Sequence, residues 1–169
     1  MAHSTVTLIG MPGVGKSTVG VLLAKRLGLN FSDGDLLIQV RQGEPLQASV
    51  DRLGYLVVRQ IEEEVLLEMP LENTLVATGG SAVYSEAAMR RLGEAGPRIY
   101  LQAPFSLLQA RVNAHPDRGI ACPPGQGLEA VYAERTPLYE RFADFSIDCS
   151  VHSAEEIATL LEQELKRGE

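Results

Sequence analysis

Only three lysines stand among the fifteen basic residues of this chain, against twenty-two acidic ones, for a formal net charge of −7. So acidic a surface excludes a general affinity for nucleic acid or for anionic membranes, and any anion the protein binds must be met by a local site. Cysteine is equally scarce. Cys122 and Cys149 are too few for a disulfide scaffold and too far apart for a zinc or redox pair, which leaves two free thiols. No stretch approaches the ~18 continuous apolar residues of a membrane span. The opening Met1–Gly10 lacks both a basic leader before an apolar run and a cleavage-site pattern, so the expectation is a cytoplasmic protein. Internal repeats and low-complexity segments are missing too, and His3, His115 and His152 are scattered too widely to group into a site. What is present is ordinary globular usage, 45% hydrophobic and 22% charged. A chain of 169 residues is long enough for one domain with a real core and too short for two, so residues 1–169 are expected to form a single domain.

Apolar periodicity alternates along the chain. Thr5-Val-Thr-Leu-Ile-Gly is β-branched and bounded by glycine, whereas Val19, Leu22, Leu23 and Leu27 follow at helical spacing. A short strand into Asp33 precedes helical patterns at about 36–41 and 46–68, the second interrupted near Gly54. Strands at Thr74–Thr78, Arg98–Leu101 and Phe145–Asp148 are interleaved with helices at about 86–92, 104–115 and 127–143. Ser153-Ala-Glu-Glu is a capping-box entry to a final helix. Strands too apolar to have a wet face, alternating with helices, predict a mostly parallel sheet covered on both sides, with ligands at the carboxyl ends of the strands. The one long irregular stretch, His115 to Gly127, is rich in Pro and Gly and reads as a functional or mobile loop.

Gly10-Met-Pro-Gly-Val-Gly-Lys16-Ser17 fits G-x-x-x-x-G-K-[ST] and lies between the first strand and first helix, as the mechanism of that motif requires. Inward-turned N–H groups of Gly13, Val14, Gly15, Lys16, Ser17 and Thr18 make a cradle for phosphates. Lys16 reaches the β and γ groups, and Ser17 offers an oxygen to Mg²⁺. A nucleoside triphosphate site follows. Phe31-Ser-Asp-Gly-Asp-Leu-Leu-Ile then places two carboxylates one residue apart. The first helix carries the chain ~18 Å away from the phosphate edge, Gly28 permits reversal, and about five extended residues return ~17 Å. Asp33 and Asp35 therefore come back to the phosphate edge, both facing the cleft by strand alternation, with Gly34 supplying the bend. An Asx turn or helix cap explains one carboxylate but not two. Asp33 is the candidate Mg²⁺ holder, through water, and Asp35 the candidate partner of a hydroxyl acceptor.

The P-loop alone does not name the reaction. Asp51-Arg-Leu-Gly54 spells the D-x-x-G of a regulatory GTPase but lies within a helical pattern, and no N-K-x-D occurs. A motor ATPase needs an acid closing a later strand, where this chain has Thr78-Gly79-Gly80. A small-molecule kinase remains. At this point Gly10 to Ser17, Asp33 and Asp35, Arg59 with Glu62, Gly79-Gly80, Arg118, and Arg135-Thr-Pro-Leu-Tyr139 together resemble the shikimate kinase family, in order and over nearly the whole chain. The resemblance implies a three-layer α/β P-loop kinase fold, with a five-stranded mostly parallel sheet, a mobile lid at about 112–126 and acceptor-binding helices at about 34–62. It implies that Asp35 orients and deprotonates the shikimate 3-hydroxyl, that Arg59 and Arg135 grip the carboxylate, and that Gly79 and Gly80 line that pocket. Arg118 would close over the phosphates, Arg111 would flank the adenine, and Asp33 would take the magnesium-associated position. ATP and shikimate, or a similar hydroxylated acid, are the expected partners of a monomer, with no nucleic acid and no membrane.

Residue by residue, simpler readings stay open: Arg59 and Glu62 as an i,i+3 surface pair, Arg135 as the cap of a helix break at Pro137, and Arg118 as a solvated side chain. The Glu62-Glu-Glu64 run reads as a solvated face. The chain departs from the family pattern at Ser81, where a third glycine is usual, at Val58 in place of Phe, and at Arg118-Gly-Ile-Ala in place of R-P-L-L. A hydroxymethyl group at position 81 narrows the pocket or adds a hydrogen bond, and Val58 removes an aromatic wall. The alternatives are a kinase of another small metabolite, such as a gluconate-type acid or a nucleoside monophosphate, and a non-catalytic nucleotide-binding module.

Overall fold

A computed structural model describes residues 5–168, so His3 lies outside the described residues. The first apolar run forms β1 (Thr5–Ile9), every residue of it buried. Helix α1 (Lys16–Leu27) follows the glycine-rich turn and ends at Gly28, whose left-handed backbone (φ 70°) lets its N–H reach the Ala24 carbonyl and reverses the chain. Strand β2 (Asn30–Asp33) then passes without a break into α2 (Gly34–Gln42). The 46–68 pattern is two helices, α3 (Leu46–Leu53) and α4 (Tyr55–Glu68), split by Gly54 at φ 86° and ψ 156°, a conformation that suits glycine and ends the first helix where the sequence places an interruption.

The rest of the chain continues the alternation through β3 (Thr74–Ala77), a 3-10 turn at Ala82–Tyr84, α5 (Glu86–Ala95), β4 (Arg98–Gln102) and α6 (Phe105–Ala114). It closes with α7 (Leu128–Phe142), β5 (Phe145–Asp148) and α8 (Ala154–Arg167). The capping box expected at the last helix is formed, with Ser153 and Glu156 each accepting from the other's backbone N–H.

All five strands are parallel, in the order β2-β3-β1-β4-β5. Helices α1 and α8 pack together over one side, with α1 on β3 and β2, while α5 lies on β1 and α7 on β4. The central strands carry the core, in which Leu8, Ile9, Leu75, Val76 and Ile99 are fully buried. The edge strands differ from expectation. Exposed Ser146 and Asp148 alternate with half-buried Phe145 and Ile147 in β5, because an edge strand flanked on one side only keeps part of its surface wet. A satellite cluster of Ile38, Ile61 and Val65 joins α2 to α4.

Two close approaches fix helix against sheet. A side chain at Gly20 on α1 would meet Phe31 Cε2 at 2.7 Å and Leu75 Cδ2 at 3.1 Å, so its missing Cβ lets α1 lie directly on β2 and β3. Replacing Gly20 by Val should therefore overpack this seam and cost about 1–3 kcal/mol. Chemical denaturation would read this as a lower midpoint at unchanged slope, and an unchanged midpoint would show that the seam has room.

Candidate active site

Strand register decides where the site lies. Leu8 of β1 and Asp33 of β2 both align with Ala77 of β3. The Gly10–Lys16 turn, Asp33 with Asp35, and Thr78–Gly80 consequently leave the sheet at one rim, where a doubly wound sheet places its ligands. Thr78 ties the rim together, its N–H (3.1 Å) and hydroxyl (2.9 Å) both donating to the Leu8 carbonyl. There a cavity of about 440 Å³ is lined by the Gly13–Thr18 turn, Asp35, Glu62, Arg118 and Arg135 among others.

At the phosphate end, Gly13 and Gly15 hold positive φ (86° and 109°), the conformation that turns successive N–H groups inward. Lys16, only 8% exposed, curls over the turn and donates to the carbonyls of Gly10 (2.7 Å) and Met11 (2.9 Å). Burial lowers its pKa to about 8, partly offset by the charge of Asp35. Arg111 on α6 donates to the carbonyls of Gly13 (3.1 Å) and Val14 (3.0 Å), bracing the turn from behind. Arg118 Nη1 comes within 3.9 Å of where a Gly13 Cβ would sit, so this arginine from the long loop reaches the cradle across an otherwise exposed path. Arg118 itself remains exposed to solvent at that place.

Asp33 and Asp35 both reach the rim, by a different local route from the one expected. Asp33 closes β2 and caps α2, accepting from the Leu36 N–H at 3.1 Å, while its other oxygen accepts the Ser17 hydroxyl. It is thus the helix cap and the hydrogen-bond partner of Ser17 at once. Asp35 lies in the first turn of α2 and not in an extended chain, so strand alternation is not what aims it at the cleft. Gly34 makes the placement possible by packing against the end of β3, with Gly79 N 3.3 Å from its missing Cβ. Burial raises the pKa of Asp35, against the pull of Lys16.

Arg135 in the cavity wall is backed by a second arginine and by aromatics. Arg135 on α7 is 1% exposed, and its Nη2 donates to the Ala121 carbonyl at 2.9 Å. Helix α7 runs through Pro137 without breaking, so Arg135 caps nothing. The Nε of Arg59 donates to the same carbonyl at 3.0 Å, and its guanidinium stacks 3.8 Å from the Tyr84 ring centre. Arg59 Nη2 and Arg135 Nε are buried without a hydrogen-bond partner, two donors left unsatisfied on guanidinium groups that share the Ala121 carbonyl. Gly80 lets the arginine approach: a Cβ there would fall 2.9 Å from Arg135 Nη1 and 2.8 Å from Pro12 Cδ. The Tyr139 hydroxyl holds the Gly80 carbonyl at 2.5 Å.

Comparison with known proteins agrees with this geometry. The family model described as shikimate kinase matches residues 12–166. A shikimate kinase of Vibrio vulnificus is 34% identical over 166 residues, covering 96% of each chain. One from Paracidovorax citrulli is 38% identical over 148 residues, covering 85% of this chain and 81% of its own. The chain belongs to the shikimate kinase family. It is accordingly an ATP-dependent phosphotransferase. Among solved structures, a shikimate kinase from Acinetobacter baumannii in complex with shikimate superposes with a TM-score of 0.89 at 28% identity, covering 98% of this chain and 94% of the other. A gluconokinase from Sinorhizobium meliloti, at TM-score 0.54 and 16% identity over 98% of this chain and 93% of its own, shares the fold alone.

Glu62 is what the sequence reading missed. The Glu62–Glu64 run is not a solvated face. Glu64 is exposed and 3.4 Å from Arg41, but Glu62 is 2% exposed, accepts the Ser81 hydroxyl and makes no ion pair with Arg59. Its position on α4 carried a signal, since buried Val58, Ile61, Glu62, Val65 and Leu66 follow the spacing of a core-facing stripe. A carboxylate within that stripe must be buried or distort the helix. Burial, reinforced by the charge of Asp35, raises its pKa to about 7. Tyr84 and Ala121 were missed too, one as a stacking surface and the other because a backbone carbonyl leaves no mark in sequence.

The raised carboxylates give this protein a pH signature. The folded state holds a proton on Glu62 between the ordinary carboxylate range and about 7, whereas the unfolded chain does not, so stability present in acid is lost as pH rises through about 7. Asp35 acts in the same sense, while Lys16, lowered to about 8, acts only above that value and oppositely. Melting temperature should fall from about pH 5 to about pH 8, and less steeply in Glu62→Gln than in the wild type. Parallel slopes would clear Glu62 of this role.

Proposed function

We propose that this protein transfers the γ-phosphoryl group of ATP to the 3-hydroxyl of shikimate, giving shikimate 3-phosphate for aromatic amino-acid biosynthesis. One observation carries this reading: the phosphate cradle, the carboxylate of Asp35 and the buried guanidinium of Arg135, whose Nε has no hydrogen-bond partner, line one cavity, and Arg59 shares the Ala121 carbonyl with Arg135. An acceptor that fits must be a small acid with a hydroxyl at a fixed distance from its carboxylate. The likeness to the shikimate-bound enzyme of Acinetobacter baumannii supports shikimate as that acid.

The chemistry follows from the placement. Gly13 to Thr18 bind the triphosphate through backbone amides, and Arg111 flanks the adenine near Cys149, His152 and Ala154 on the same wall. Arg59 and Arg135 take the acceptor carboxylate by paired N–H donation, Gly79 and Gly80 line its seat, and the 3-hydroxyl then rests against Asp35. As the acceptor oxygen bonds to the γ phosphorus, its proton passes to Asp35, and the bond to the β–γ bridging oxygen breaks to release ADP. Transfer of this kind needs alignment and charge neutralisation more than covalent help. Lys16 and Arg118 supply positive charge to the moving group, and the lid at 112–126 excludes water. A buried Asp35 of raised pKa is a stronger base than an exposed aspartate and suits the task.

The touching oxygens of Ser17 and Asp33 fit Mg²⁺. Among the described residues no cluster of three or more acidic, His or Cys side chains could cage a metal, and a nucleotide-borne Mg²⁺ needs only one or two protein oxygens beside those of the phosphates. Magnesium, when bound, neutralises phosphate charge. No helix among the described residues is long and apolar enough to cross a membrane; our reading is of a monomeric cytoplasmic enzyme.

ADP release measured with shikimate, gluconate and a nucleoside monophosphate as acceptors tests the assignment. Turnover on shikimate alone is expected, and turnover on another acid with none on shikimate would overturn it. Asp35→Asn should keep ATP binding and lose about 100- to 10,000-fold in kcat. Lys16→Met should weaken both binding and transfer, and an Asp35→Asn enzyme of full activity would remove the base.

A further inference from the structure

Ser81 occupies the position where the family pattern carries a third glycine, and the backbone does not explain the change. Its φ of −94° and ψ of 3° are open to any residue. It precedes the Ala82–Tyr84 turn, where a serine would ordinarily cap the first N–H groups, yet its side chain caps nothing. The hydroxyl is instead turned inward, 7% exposed as a residue, and donates to Glu62 Oε2.

The second oxygen of Glu62 is the informative one. Glu62 Oε1 is buried and has no hydrogen-bond partner. It converges with Asp35 Oδ1 over the α-carbon of Gly79, since a Cβ built there would collide with both oxygens. Glu62 also has an alternative partner within reach of its own helix, Arg59 one turn earlier, and does not take it. Arg59 stacks on Tyr84 and donates to the Ala121 carbonyl, leaving Glu62 to Ser81. Once Glu62 is ionised, above about pH 7, a buried carboxylate oxygen without a donor is costly, so the arrangement is complete only when a donor arrives from the cavity.

We propose that Ser81 is a positioning residue whose hydroxyl holds Glu62 beside Asp35, so that Glu62 Oε1 accepts the acceptor hydroxyl adjacent to the one being phosphorylated and selects acids that carry a vicinal diol. This rests on the reading of the cavity as the shikimate site. Asp35 takes the reacting hydroxyl, Glu62 takes its neighbour, and Gly79 must lack a side chain because both oxygens occupy the space above it. Ser81 touches neither ATP nor the transferred group.

The test compares kcat/KM on shikimate with that on its 4-deoxy analogue, which lacks the hydroxyl beside the reacting one, for the wild type, Ser81→Ala and Ser81→Thr. The wild type should prefer shikimate by about 100-fold or more, because a site built to bind a hydroxyl rejects the analogue without it. Ser81→Ala should lose about tenfold on shikimate, chiefly through the acceptor KM, and narrow the preference by a similar factor. Ser81→Thr, which keeps the hydroxyl, should restore the preference, and KM for ATP should be the same in all three. If Ser81→Ala does not fold, Ser81→Gly replaces it, since glycine removes the hydroxyl without adding volume. A mutant preference equal to that of the wild type, or a wild type indifferent to the missing hydroxyl, would overturn the role of Ser81 while leaving the shikimate assignment standing. A wild type inactive on both acceptors would overturn that assignment as well.

Discussion

Lys16, Asp35 and Glu62 line one cavity, and each is buried there at a cost to its charged form. Burial pushes the lysine toward neutrality and the two acids toward protonation, while the lysine counters the shift of each acid. The architecture serves to bring these groups together. A parallel sheet whose first three strands end in register delivers the Gly10–Lys16 turn, the acids and the glycine run to a single rim.

Such crowding needs room for the charges to meet. Gly34, Gly79 and Gly80 provide it by omission, since a Cβ at any of them would meet backbone, a carboxylate or a guanidinium at close range. The 115–127 loop enters the same arrangement. Gly119 lies so near α3 that a Cβ would fall 2.7 Å from Gln47 N, and two residues later Ala121 offers its carbonyl to both Arg59 and Arg135. The loop that carries Arg118 toward the Gly13 turn therefore also touches α3 and holds Arg59 and Arg135. Departures from the family pattern in this loop are part of how it seats.

Much of the site could be read before any coordinates. The Gly10–Ser17 motif names its own chemistry because backbone amides facing a phosphate demand glycine at fixed spacing. The break at Gly54 and the capping box at Ser153 were equally visible, each being a local backbone requirement with a local residue signature. Asp35 was placed at the right rim for the wrong reason, as a residue of an extended chain and not of a helix's first turn, because distance along the chain constrains where a residue arrives more tightly than its conformation on arrival. Glu62 was misread because an acidic triplet looks solvated unless the helical stripe that contains its first member is weighed more heavily than its charge.

The amino-acid sequence by itself determined the alternation of strand and helix, the phosphate cradle, the twin acids and the loop arginine, since each depends on residues close together in the chain. Only the tertiary structure decided that Glu62 faces inward, that it pairs with Ser81 and not with Arg59, and that the Ala121 carbonyl joins two arginines from separate helices. These are choices among partners far apart in sequence. Packing and the cost of an unpaired buried charge settle them, and neither can be evaluated until the elements are assembled.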